Sequence, residues 1–185
     1  MPKHQSEFII LCEDRQQEIF ARYFLTGCGV HPHKIRLRLP VRGKGSGEQY
    51  VRENYPKEVK AYRSRSTHLS VCLAVLIDAD VKSVNDRTDE LVSALKANGL
   101  PPRGIDEKIA HFIPKRNIET WIFYLHGELV DEEINYKREI DKETLRSSVE
   151  RLVQLRSKKL PDDAPPSLHS AAHELHRILP LNKIS

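Results

Sequence analysis

"VCLAVLIDAD", residues 71–80, decides how this chain folds. Seven apolar residues in a row, bounded by polar ones, read as a strand buried on both faces, so helices must cover it from two sides. A buried strand fixes whatever follows it. Here that is Asp78 and Asp80, two carboxylates that repel each other unless a cation joins them.

Working outward, "EFIILCED" (7–14) is a second buried strand, and it too closes on acids, Glu13 and Asp14. "RQQEIFARYFLTGCG" (15–29) follows with Ile19, Phe20, Tyr23 and Phe24 at helical spacing. "KIRLRLPV" (34–41) alternates Ile35, Leu37 and Leu39 with Arg36 and Arg38, a strand with one wet face near a sheet edge. "RGKGSG" (42–47) is a glycine-rich turn, and "EQYVRENYPKEVKAYRSR" (48–65) reads as a helix that Pro56 should break or kink. Beyond the central strand, "NDRTDELVSALKANGL" (85–100) predicts a helix capped by Asn85 or Asp86 and stopped at Gly99. A strand over "KIAHFIP" (108–114) and a helix over "NIETWIFYLHG" (117–127), with Asn117 as its cap, complete the alternation. Two further helices follow, over 141–158 and 165–179.

Strand and helix alternate four times, which predicts an α/β fold: a mostly parallel, Rossmann-like sheet with helices on both faces and extra C-terminal helices. We place one domain over residues 1–160, with a terminal helix in 161–185 packed on it after the hinge "KKLPDDAPPS". In such sheets ligands gather beyond the carboxyl ends of the strands, where both acidic clusters fall.

Composition sets the outer bounds. The chain has 185 residues, 30% charged and 39% hydrophobic, enough for one sizeable core. No apolar stretch reaches the ~20 residues of a membrane span, and the N-terminus does not read as a signal peptide. The expectation is a cytoplasmic protein without membrane partners. Cys12, Cys28 and Cys72 show no metal or redox spacing and read as reduced thiols. The net charge is +4, with a sequence pI near 8.9. Its basic excess is concentrated between His31 and Arg65, where ten Lys and Arg stand against three Glu; that segment is the candidate for phosphate contact.

If the strands ending at Glu13 and at Asp78 are neighbours, three carboxylates meet at one edge of the sheet. A hard cation, Mg²⁺ or Mn²⁺, takes oxygen ligands of this kind and completes its shell with water and substrate phosphate. For Asp78 and Asp80 to serve one ion, we expect the chain to turn at Ala79. The competing reading makes Glu13 or Asp14 the cap of the following helix and gives the two Asp to a turn.

These segments resemble the TOPRIM domain of topoisomerases, primases and OLD-family nucleases. "FIILCED" before a helix and "AVLIDAD" before a loop and helix match that family's strand-ending Glu and its later DxD, over residues 7–125. The resemblance implies a general acid–base role for Glu13 and metal binding by Asp78 and Asp80. "IPKRNIETWIFYLHG" (113–127) resembles the Pro-, Glu- and Trp-bearing segment of small TOPRIM-like nucleases. It implies Glu119 as a further metal ligand, which a second ion would need. Lys115 and Arg116 are then available to a phosphoryl transition state. The competing reading puts Glu119 in a capping box and Trp121 in the core. The turn Arg42, Gly43, Lys44 and Gly45 lies where small TOPRIM and OLD-like proteins carry a glycine-rich loop. Its N–H groups and cations suit phosphate, although positive φ angles alone would explain the glycines. The turn is not a P-loop, because no GKS or GKT follows four spacer residues.

The function expected is metal-dependent phosphodiester hydrolysis of DNA or RNA, a nuclease without a covalent intermediate. The OLD-like resemblance implies a bacterial or phage setting, anti-phage defence and an ATPase partner. Two rivals stay open: a non-catalytic nucleic-acid- or nucleotide-binding subunit of a larger complex, and an enzyme acting on a small phosphate ester. His169, His173 and His176 share a helix face without forming HExxH and read as surface or interface residues. Tyr136 and Lys137 are candidates to face a nucleic-acid groove.

Overall fold

A computed structural model describes residues 6–136 and 138–181. Four strands, β1 (Glu7–Leu11), β2 (Ile35–Arg38), β3 (Val71–Leu76) and β4 (Ile109–Phe112), form one all-parallel sheet in the order β2-β1-β3-β4. Six α-helices accompany them: α1 (Arg15–Gly27), α2 (Gly47–Ser66), α3 (Val84–Ala97), α4 (Ile118–His126), α5 (Lys142–Leu155) and α6 (Pro166–Ile178). The α/β class read from the sequence is the class observed. Every residue of β3 is buried, as its unbroken apolar run requires, and β2 lies at the edge.

Alternation along β1 sorts the core into two layers. Ile9 and Leu11 point to one face, where Val51, Tyr55 and Val59 of α2 and Leu91 and Leu95 of α3 cover them. Phe8 and Ile10 point to the other, against Ala21 and Leu25 of α1 and Ile178 of α6. A third cluster joins α1 to α4, α5 and α6 through Phe20, Phe24, Trp121 and Leu168.

Two local expectations are corrected. The helix expected to break or kink at Pro56 runs unbroken from Gly47 to Ser66. Burial of Val51, Tyr55, Val59 and Tyr62 along one face outweighs the backbone bond that proline forfeits. The cap of α3 is Ser83, not Asn85 or Asp86. The Ser83 hydroxyl accepts from the Asp86 N–H, and the Asp86 carboxylate accepts from the Ser83 N–H, which closes a capping box.

The strand order positions the site. From β1 the chain crosses to β2 on one side, and from β3 it crosses to β4 on the other. The connections therefore diverge between β1 and β3, the switch point where a crevice opens beyond the strand ends. Glu13 and Asp78 lie on its two banks.

Candidate metal centre

β1 and β3 pair in register, Leu11 opposite Val75, so the residues after them leave the sheet side by side. Glu13 Oε1 accepts from the Asp78 N–H at 2.6 Å. Gln17, fully buried in the first turn of α1, closes the arrangement. Its Oε1 accepts from the Glu13 N–H at 2.9 Å, and its Nε2 donates to Asp78 Oδ1 at 2.9 Å. Gln17 is held there because Asp14 caps α1 by accepting from the Gln17 N–H at 2.9 Å. The competing reading of the acids is therefore met by Asp14 rather than by Glu13.

Two more residues tighten the frame. A Cβ on Gly47 would lie 2.5 Å from the Glu13 carbonyl oxygen, so only glycine lets the start of α2 rest on the Glu13 backbone. Arg87, 2% exposed, donates from Nε to the Asp78 carbonyl at 2.9 Å and from Nη1 to Glu48 and to Glu90, the latter at 2.6 Å. This buried guanidinium ties α2, α3 and the end of β3 together.

The turn expected at Ala79 comes one residue later. The Ala79 N–H still bonds the Pro114 carbonyl at 2.9 Å, and Asp80 takes the left-handed conformation with φ 56°. Residues two apart on an extended chain already share a face, so no turn at Ala79 is needed to bring the two Asp together. Asp is one of the few side chains that tolerate the left-handed region. Asp80 is exposed, while Asp78 is buried.

Burial and crowding dominate the electrostatics. Burial pushes the Asp78 carboxyl well up from its ordinary range, and Glu13, Asp14 and Glu119 push it further, against the Gln17 hydrogen bond. Glu13 is pushed up to about 7, first by burial and also by Asp80 and Asp14, while the Asp78 N–H and Arg87 pull it down. Burial raises Glu119 as well, with a contribution from Asp14. Among the described residues, none of Glu13, Asp78, Asp80 and Glu119 forms a side-chain ion pair, although Glu7, Glu48, Glu90 and Glu107 all do. Glu119 takes no part in a capping box either, since Asn117 makes no side-chain cap and bonds Asn135 instead.

The four acids share one edge of the sheet but do not form a closed cage. Among the described residues, no three His, Cys, Asp or Glu side chains are gathered closely enough to hold one ion. Glu13 and Asp78 are the adjacent pair that fits a hard cation, and water or phosphate would fill the remaining positions.

Arg42, Gly43, Lys44 and Gly45 form an exposed loop that leads through Ser46 and Gly47 directly onto Glu13. Gly43 (φ 81°) and Gly45 (φ 74°) need glycine for their backbone, whatever the loop binds. The broader basic segment is less available than its composition suggests. Arg36 and Arg65 pair with Glu7, Arg38 with Glu58, Arg52 with Glu48 and Arg63 with Glu107. Arg42 and Lys44 form no ion pair among the described residues.

Lys115 and Arg116 flank the Asp80 turn from the β4 side. Lys115 Nζ lies 3.3 Å from Glu133 and donates to the Lys82 carbonyl at 3.2 Å. Arg116 donates to the Glu133 carbonyl at 2.9 Å and to the Asp80 carbonyl at 3.3 Å. Tyr136 is no stacking platform, since its ring packs edge-on against Phe123 and its hydroxyl accepts from the Asp131 N–H; Lys137 lies outside the described residues. Also among the described residues, no helix is long and apolar enough to cross a membrane. No family model, curated protein or solved structure matches this chain.

Proposed function

We propose that the crevice between β1 and β3 is the active site of a TOPRIM-like nuclease that holds Mg²⁺ or Mn²⁺ on Glu13 and Asp78. One observation carries this reading: two hydrogen-bonded carboxylates at the switch point, Asp78 buried and Glu13 half-buried, both with raised pKa and neither in an ion pair among the described residues. Burying like charges without compensation costs several kcal/mol, an arrangement that suits a site completed by a cation. Glu13 and Asp78 would hold the divalent ion, which would supply polarisation of a phosphodiester and stabilisation of the leaving oxygen.

The chain's own groups divide the remaining work. Gln17 and the Asp78 N–H orient the two carboxylates. Glu13, through the oxygen that the ion leaves free, would accept a proton from the attacking water and return it to the leaving oxygen. The Gly43 and Gly45 loop with Arg42 and Lys44 receives the flanking phosphate, and Lys115 and Arg116 answer the growing charge from the opposite bank. Asp80 and Glu119 are the reserve ligands for a second ion. Three unpaired cysteines, Cys12, Cys28 and Cys72, support a cytoplasmic setting. We keep anti-phage defence beside an ATPase as the biological proposal.

Among the described residues no third acid closes on the Glu13 and Asp78 pair, which favours one alternative, a nucleic-acid- or nucleotide-binding subunit that lacks turnover. Incubating plasmid, single-stranded DNA and RNA with Mg²⁺, Mn²⁺ or EDTA separates the two. Metal-dependent cutting that Glu13→Gln and Asp78→Asn both abolish establishes the nuclease. Binding without cutting in every metal selects the alternative.

A further inference from the structure

We propose that a second site, on the face of the sheet opposite α2 and α3, binds a linear anionic amphiphile: an acyl chain with a carboxylate head. α1, α5, α6 and the sheet line a half-open cavity of about 540 Å³. Its walls are apolar, with Phe20, Phe24, Leu76, Phe112, Trp121 and Leu168 among them. A ~150 Å³ cavity holds one benzene, so this space takes on the order of twenty carbon atoms. It falls within the range of ligand pockets and far exceeds ordinary packing voids.

The mouth supplies the charge selection. Arg156, Lys158, Lys159, His169, His173 and His176 line it, and no Asp or Glu does among the described residues. Lys159 is engaged by Asp162 at 2.7 Å, whereas Lys158 has no carboxylate partner among them. Arg156 donates from Nη2 to the Leu179 and Pro180 carbonyls, at 3.3 and 3.4 Å, and its Nε is buried without any acceptor. That Nε is sealed from solvent and out of a ligand's reach, so a carboxylate at the mouth would meet Lys158 and the outer edge of the guanidinium instead. An apolar interior beneath an acid-free cationic rim is the complement of a fatty carboxylate. The three histidines, which do not form HExxH, find a place here as part of the rim.

The site is independent of the Glu13–Asp78 centre, and its test needs no activity. Trp121 is the single tryptophan and lines the cavity, so its fluorescence reports occupancy directly. Bromine-substituted stearate, titrated into the full chain below its micelle-forming concentration, should quench Trp121 saturably at one per chain. Its methyl ester should bind at least tenfold more weakly. Lys158→Gln and Arg156→Gln should each weaken the acid by roughly tenfold to a hundredfold, the worth of one charged hydrogen bond. Arg156→Gln also loosens the end of α6, so Lys158→Gln, on an exposed side chain, is the variant that keeps the fold. Ala172→Phe, whose ring takes up roughly a third of the cavity, should weaken binding at least tenfold while the far-UV spectrum stays unchanged. Absence of saturable quenching, equal affinity for acid and ester, or undiminished binding by Ala172→Phe overturns the proposal. So does a concentration-dependent dimer that shields Trp121 and excludes stearate, which would make a second copy the occupant.

Discussion

At Glu13 the raised pKa is a statement about stability. The folded chain holds its proton up to about 7, whereas an unperturbed glutamate releases it near 4.5. Between those values the native state binds more protons than the unfolded state, so stability falls as pH rises through the window and levels off above it. Measured against Glu13→Gln, which cancels opposing groups such as the buried His111, the metal-free protein should therefore lose stability between pH 5 and pH 8. Glu13→Gln keeps the acceptor for the Asp78 N–H but removes the charge. It should melt above wild type at pH 8, by about 2–3 kcal/mol or roughly 5 °C, and match it near pH 4.5. Mg²⁺ or Mn²⁺ should raise the wild-type midpoint at pH 8, barely at pH 5, and not at all in the variant. A midpoint that does not move with pH or metal removes the charge-crowding account. Gly47→Ala probes the same spot from the other side. A methyl 2.5 Å from the Glu13 carbonyl must displace it, costing about 1–3 kcal/mol by urea unfolding and removing the metal response. Glu13, Asp78, Asp80 and Glu119 were legible as acids at strand and helix ends. Gln17 and Arg87 were not, because polar residues in the first turns of helices ordinarily face solvent. Only the crevice shows that Gln17 is buried against the Asp78 carboxylate and Arg87 against the Asp78 backbone carbonyl.

At the scale of elements, legibility followed burial. β3 could be read because it is apolar throughout, and β1 because its apolar run ends on acids. The break expected in α2 at Pro56 is absent, since propensity saw the proline and not the core face that carries the helix through it. The cap of α3 was misplaced because several polar residues in a row offered themselves, and only geometry singled out Ser83. That capping box lies one turn before Arg87, which links α2, α3 and the end of β3. Arg87→Met should cost about 2–3 kcal/mol by denaturant unfolding, since Glu48 and Glu90 lose their buried partner and the Asp78 carbonyl loses a donor. Ser83→Ala should cost about 1 kcal/mol with an unchanged m-value. Equal losses from the two would mean that Arg87 supports its helix locally rather than joining the elements.

At the scale of the whole molecule, the strand order made a site out of separate acids. Neither β1 nor β3 carries a signal naming its neighbour, because the order depends on which way each crossover turns. The charge distribution was misleading for a related reason: Glu7, Glu48, Glu58 and Glu107, scattered in sequence, fold against the arginines of the basic segment. This has a measurable consequence for nucleic-acid binding. If the whole basic segment met the backbone, ten phosphates could be neutralised, and log K would fall with log salt at a slope near −9 for duplex DNA. With only Arg42, Lys44, Lys115 and Arg116 flanking the crevice, the slope should be no steeper than about −4. Arg42→Ala with Lys44→Ala should make it shallower by about 2, while Arg36→Ala with Arg65→Ala, whose charges already answer Glu7, should leave it unchanged. Fluorescence anisotropy of a labelled duplex across a salt series, in Ca²⁺ or EDTA to prevent cutting, gives all three slopes. A steep slope that responds to Arg36 and Arg65 would mean those ion pairs open on binding, and would move the nucleic-acid track from the crevice to the outer edge at β2.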